Sequence, residues 1–153
     1  MSHLLGNWVV APLVRFRDGL PVNPTTGKDN SLTCVGFDRP NVVAGAGMYT
    51  GAAHGLKYQY LNPGLYTANA LGTFGNAGHN SLRGSGYFGV DMAVSRQFNL
   101  GERLKFHIRA EAFNALNHPN FGSPNANISS SSFGQITGAG DPRILQASMK
   151  LVF

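Results

Sequence analysis

The most regular pattern in the chain begins at Gly86. Phe88, Val90, Met92, Val94 and Phe98 fall on one side of a two-residue repeat. Tyr87, Gly89, Asp91, Ala93, Ser95, Gln97 and Asn99 fall on the other, with Arg96 the one charged residue on the apolar side. Successive side chains of an extended strand point to opposite faces, so this spacing predicts a strand near 86–98 with one apolar and one polar face. Beyond Asn99-Leu100-Gly101-Glu102 the alternation resumes, with Leu104, Phe106, Ile108, Ala110 and Ala112 against Arg103, Lys105, His107, Arg109 and Glu111. Two long alternating runs joined by four turn residues predict a β-hairpin of strands near 86–98 and 103–116. Ala, Glu and Leu favour helix. On a helix, however, Lys105, Phe106 and Arg109 would mix across neighbouring faces, and the strict two-residue period decides for a strand.

A third run, 143–153, places Leu145, Ala147, Met149, Leu151 and the terminal Phe153 on one face. The opposite face carries Gln146, Ser148 and Lys150, interrupted by Ile144 and Val152. This strand is expected to pair with the one near 103–116. Its eleven residues extend roughly 36 Å and, tilted by ~45°, cover ~25 Å of membrane normal, the height of the apolar band of an outer-membrane barrel. Trp8 to Arg17 is a less regular strand, near 8–17.

Between the strands the chain changes character. Residues 117–142 are rich in Asn, Ser, Gly and Pro and include the run Ser129 to Ser132, and 18–85 is mostly Gly, Asn and short apolar pieces without a sustained period. Both read as long loops. Structureless stretches of such length are uncommon in a compact soluble domain. They are normal on the extracellular side of a membrane barrel, whose periplasmic turns are short. The expected arrangement has the 99–102 turn and the C-terminus facing the periplasm and the long loops facing outside.

Composition sharpens this reading. Charged residues are 12% of the chain, about half the ~25% usual for soluble proteins, and the 20 glycines are about twice the usual share. No stretch approaches the ~18 consecutive apolar residues of a membrane helix. Low charge with many Gly, Asn and aromatics suits a barrel, where alternate residues face lipid and a wet lumen. The fold class is therefore all-β: an antiparallel transmembrane β-barrel fragment of about four strands with long extracellular loops, not a closed barrel by itself. Its expected location is the outer membrane of a Gram-negative type of cell. The short apolar run Leu4 to Val14 has neither a basic stretch before it nor a cleavage motif after it. It makes a poor signal peptide, and an export signal is expected upstream.

Catalytic and binding chemistry is thinly represented. The net charge of +5 comes from Lys and Arg scattered singly or in pairs such as Arg15 and Arg17, without the clustered cations and interleaved aromatics of a nucleic-acid surface. Gly84-Ser85-Gly86-Tyr87-Phe88-Gly89 matches the glycine spacing of a dinucleotide fingerprint, but that motif needs a helix to follow and here a strand is predicted. His3, His54, His79, His107 and His118 lack metal-ligand spacing, and His107 reads as a solvated residue of a polar face. Asp91 and Glu111 are placed to meet Arg103, Lys105 or Arg109 across the hairpin as ion pairs. The single cysteine, Cys34, reads as a loop residue. No cofactor, metal or enzymatic activity is expected.

Three segments carry a family resemblance: Gly72 to Gly84 followed by Gly86-Tyr87-Phe88 and Val90-Asp91; Arg109-Ala110-Glu111-Ala112-Phe113-Asn114-Ala115-Leu116-Asn117-His118-Pro119-Asn120-Phe121-Gly122; and Phe133 to Thr137 with Gly140 to Arg143. In order and spacing they resemble the closing part of TonB-dependent receptors of the Oar-like type, over about the last eighty residues; Trp8 to Pro24 resembles an earlier strand and turn more loosely. The resemblance implies a barrel of about twenty-two strands around an N-terminal plug, absent from this chain, through which TonB would act. Such receptors take up bulky solutes such as metal chelates, saccharides or peptides. Ala147, Met149, Leu151 and Phe153 resemble the alternating C-terminal signal read by the barrel-assembly machinery. The expected partners are that machinery, outer-membrane lipid, and TonB through the plug. The alternative is a self-contained secreted or surface β-domain used for adhesion.

Overall fold

The structure, a computed structural model, describes residues 6–54 and 57–153. In chain order its strands are β1 (Trp8–Arg17), β2 (Pro21–Val22), β3 (Asn41–Val42), β4 (Tyr49–His54), β5 (Lys57–Leu61), β6 (Tyr66–Thr67), β7 (Leu82–Arg83), β8 (Tyr87–Asn99), β9 (Lys105–Phe113), β10 (Gln135–Ile136) and β11 (Ile144–Val152), with a single 3-10 turn at Pro63–Leu65. No helix among the described residues is long and apolar enough to cross a membrane. The chain divides into two compact units: the four long strands with their turns, and the segments 18–86 and 121–140.

The first unit is one antiparallel sheet in the order β1-β8-β9-β11. The predicted hairpin and the pairing of the last strand with β9 are both present. Register is continuous along the rows Pro12, Met92, Ala112, Leu145 and Val10, Val94, Ala110, Ala147. Because the side-chain period is two, a one-residue slip would turn every apolar side chain of a strand to the other face. β8 and β9 are joined by a turn closed by the Leu100 N–H on the Leu104 carbonyl, 2.9 Å. Leu104 therefore belongs to the turn and not to the strand.

Strand ends also depart from the pattern at 114–116, where the alternation predicted that the strand continues. Asn114 and Asn117 have φ of +48° and +52°, left-handed conformations that Asn tolerates better than most residues and that end an extended run. Their side chains hold the bend. The Asn114 amide donates to the carbonyls of His118 (3.0 Å) and Asp141 (3.2 Å), and its side-chain oxygen accepts the His118 N–H. The Asn117 oxygen accepts the Arg143 N–H at 3.0 Å, one residue before β11.

The second unit corrects the reading of 18–85 and 117–142 as structureless loops. It holds the small sheets β10-β5-β4, β2-β7 and β3-β6 and a core of Val22, Leu61, Leu65, Tyr66, Ala77, Leu82 and Phe133. Gly134 joins its two segments: its carbonyl accepts the N–H groups of Tyr60 and Leu61 at 2.9 and 3.0 Å, and its own N–H reaches the Asn125 carbonyl. At φ +74°, with the Leu61 carbonyl 2.6 Å from where a Cβ would stand, only glycine fits. The Asn/Ser-rich run is ordered by its own side chains. Asn125, Asn127 and Ser130 bond nearby backbone groups, and the Ser129 hydroxyl donates to the Thr26 carbonyl at 2.7 Å. Short polar side chains that replace ladder hydrogen bonds in this way leave no periodic signal.

Expressed alone, the chain is expected not to yield a monodisperse 16.3 kDa monomer in water, because among the described residues its main sheet has two open edges and a bare apolar face. Size-exclusion chromatography with light scattering, with and without detergent, checks this; a soluble, cooperatively melting monomer would contradict it.

Candidate functional site

The four long strands form a two-sided wall. One face carries Val10, Pro12 and Val14 of β1, Val90, Met92 and Val94 of β8, Ile108, Ala110 and Ala112 of β9, and Leu145, Ala147, Met149 and Leu151 of β11. Aromatics close it at both ends: Phe16 pairs with Phe88 at the end where the long segments leave, and Phe98 with Phe106 near the tight turn. An apolar band between two aromatic girdles is the outer surface of a membrane barrel. Exposure fits lipid rather than water as its solvent, Phe16 being 82% and Met149 77% accessible. β8 extends about 43 Å and at a tilt of ~45° spans the apolar band, whereas β9 and β11, at about 30 Å each, cover ~21 Å of it at that tilt.

Arg96, the charged residue in this face, is 7% exposed. Its guanidinium lies 5.4 Å from the Trp8 ring and 4.4 Å from the Phe98 ring. Flanked by two π-faces at the turn end, the charge is held in the girdle and not at mid-wall. Sequence reading found Arg96 but not its partners, because Trp8 meets it only through the β1–β8 register.

The residues expected to form a C-terminal signal occupy the edge of this wall. Ala147 stands opposite Ala110, Met149 opposite Ile108 and Leu151 opposite Phe106, while Phe153 lies just past β11 and is 96% exposed. The outer edge of β11 has no neighbouring strand among the described residues. In lipid an unpaired strand edge costs several kcal/mol per backbone group, so this edge needs another strand.

The opposite face is polar, and its ion pairs differ from those expected. Asp91 bonds Arg15 of β1 at 2.5 Å, not a cation of β9, and its other oxygen accepts the Asn114 N–H at 2.9 Å. Glu111 bonds Arg109 on its own strand at 2.6 Å. The reason is register: Asp91 lies beyond the last β8–β9 pair and beside β1, while residues two apart on a strand share a face. Arg15 and Arg17 both flank the Tyr87 ring, at 5.9 and 5.4 Å. Only the β1–β8 register brings these three together.

The second unit holds further polar chemistry. A run of rings, Tyr49, Tyr60, Tyr58 and Phe121, has successive centroids 5.1, 5.9 and 5.3 Å apart. Burial, and then the neighbouring Tyr49 and Tyr58, push the Tyr60 phenol above its usual pKa. Its hydroxyl donates to the Gly84 carbonyl. Asp38 accepts the Ser31 N–H at 2.6 Å and the Ser31 hydroxyl at 2.8 Å. The Ser31 N–H is the main cause holding its carboxyl below the usual value of 3.8, against burial, which acts the other way. Cys34 is a free, exposed thiol. No three His, Cys, Asp or Glu side chains gather into a metal site among the described residues; His3 and the side chain of His54 lie outside them. After Gly84-Ser85-Gly86 the chain enters β8, so the glycine spacing lacks the helix a dinucleotide site requires.

Two outcomes follow. Val94→Arg, at mid-wall on the apolar face, should destabilise the protein folded in lipid vesicles by ~2–4 kcal/mol. Ser95→Arg, one residue on and facing the other way, should stay within ~0.5 kcal/mol; urea titration of both measures it. Because the folded pKa of Asp38 is depressed, its contribution to stability is present above 3.8 and is lost as pH falls through the lower folded value. The Ser31 amide proton followed by NMR should keep its hydrogen-bonded shift at pH 3.8 and lose it only below, whereas Asp38→Asn should lack that transition.

The model of a family described as an outer membrane beta barrel domain matches residues 1–146, ending one residue short of Ala147. No curated protein and no solved structure matches. With nearly the whole chain inside the family match and a two-faced antiparallel wall in the fold, the chain belongs to the outer membrane beta barrel domain family and is an outer-membrane protein.

Proposed function

We propose that this chain is part of a TonB-dependent outer-membrane transporter of the Oar-like type, which takes up a bulky solute such as a metal chelate, saccharide or peptide. It contributes wall strands and extracellular loops and is not an enzyme. The observation that carries the reading is the resemblance of Arg109 to Gly122 and of 133–137 with 140–143, long motifs held in order and spacing. The contrast of connections adds support. Both long segments leave the wall at one end, between Arg17 and Tyr87 and between Phe113 and Ile144, and the short Leu100–Leu104 turn lies at the other. On this reading the turn end is periplasmic, and TonB acts through a plug.

Solute uptake tests the reading. Cells with the protein and an active TonB should deplete a solute of one of these classes from the medium; cells lacking either should not. Depletion that persists without TonB, while the protein stays in the outer membrane, would sink it.

The last strand carries the second part of the proposal. Ala147, Met149, Leu151 and Phe153 form the signal read by the assembly machinery, and β11 closes the barrel by joining the first strand. Deleting Phe153 should lower outer-membrane yield and heat-modifiable gel migration severalfold, whereas Phe74→Ala, an exposed aromatic of the second unit, should change neither. Equal yields for both proteins would remove the assembly role.

A further inference from the structure

The polar face of the wall is unevenly charged. It presents Arg15, Arg17, Lys105, Arg109 and Lys150, and its carboxylates, Asp91 and Glu111, are already engaged by Arg15 and Arg109. Cations in surplus on a wall that lines a lumen draw anions toward it. At the end where the long segments leave, that surplus is also ordered. Arg17 stands opposite Tyr87 and Arg15 opposite Gly89 in the β1–β8 register. A Cβ on Gly89 would lie 2.8 Å from the Tyr87 hydroxyl oxygen and 3.1 Å from a ring carbon. The ring therefore lies along its own strand, in space that only glycine leaves open, and both guanidiniums flank it at 5.9 and 5.4 Å. Asp91 bonds one terminal nitrogen of Arg15, and among the described residues Arg17 takes part in neither of the wall's ion pairs.

We propose that Arg15, Arg17 and Tyr87 form a binding site for the carboxylate or phosphate group of an anionic solute in the lumen. The inference rests on the transporter reading for its solute, and the site itself stands on the geometry. A guanidinium offers several donors in a planar fork that matches these anions. Two forks held by one ring are already ordered before the ligand arrives, which lowers the entropy cost of binding. Gly89 gives the ring its place and Asp91 fixes Arg15; Arg17 supplies the unmatched charge. The site faces away from the apolar side of the wall, so its ligand is a dissolved anion and not a lipid headgroup.

The protein in uncharged detergent micelles at low salt is titrated calorimetrically with citrate and, separately, with inorganic phosphate, to tell carboxylate from phosphate. Saturable binding of at least one probe is expected. Arg17→Gln should weaken it about tenfold, the effect of losing one charge-assisted hydrogen bond. Tyr87→Leu, which keeps both charges but frees the forks, should weaken it as well, and Lys150→Gln on the same face should leave it unchanged. Heat-modifiable migration shows that each variant is folded. Absence of binding by the parent, unchanged binding by Arg17→Gln, or an equal loss with Lys150→Gln, which would mean a diffuse field, overturns the site. The two readings fail separately. Uptake that ignores TonB while citrate or phosphate binding depends on Arg17 removes the transporter and keeps the site; TonB-dependent uptake with probe binding indifferent to Arg17 does the reverse.

Discussion

A strand that crosses lipid has no water to satisfy its N–H and C=O groups, and each group left unpaired costs several kcal/mol. Nearly every feature of the main sheet follows from that requirement. Strands must be long, because the ladder has to run through the whole apolar layer, and β8 is the longest at 13 residues. Neighbouring strands must pair along the ladder, because any unpaired stretch would leave backbone stranded in lipid. The sheet order β1-β8-β9-β11 is that solution, a meander whose long and short connections alternate between its two ends. The two outer edges, on β1 and β11, are where the same requirement calls for other strands.

With the ladder fixed, the two faces meet different solvents. Apolar positions line up across four strands in rows, so that Met92 is flanked by Pro12 and Ala112 and Val94 by Val10 and Ala110. The polar face can then carry charge at low cost, since water or neighbouring side chains reach it. Arg96 is informative because it breaks the pattern and is still accommodated: it lies near the turn end, between Trp8 and Phe98. An arginine in place of Val94 would instead lie near the middle of the apolar band, in the row of Val10 and Ala110.

The connecting segments obey a different rule. Outside lipid, water satisfies the backbone, and order has to come from burial and side-chain hydrogen bonds. Leu61 and Leu82 are fully buried in the second unit. Around them Asp38, Asn125 and Ser129 take backbone groups that no ladder reaches. Such a unit needs few regular strands, and it places aromatic side chains such as Tyr58 and Phe121, far apart in sequence, against each other.

The sequence by itself determined the wall. Period-two segregation at 86–98, 103–116 and 143–153 specified strands, faces, hairpin and lipid exposure, because alternation is a local property repeated over enough residues to outweigh helix propensity. It placed Ala147, Met149 and Leu151 on the apolar face for the same reason. It did not determine where β9 ends, since the alternation runs on into Asn114-Ala115-Leu116, and the left-handed φ of Asn114 and Asn117 arises from contacts with His118, Asp141 and Arg143. Nor did it show that 18–86 and 121–140 fold around one core, or that Asp91 belongs to Arg15 and not to β9. Those facts depend on register between strands far apart in sequence and on backbone groups bonded by isolated Asn, Ser and Gly. Such contacts have no period, and only the tertiary structure decided them.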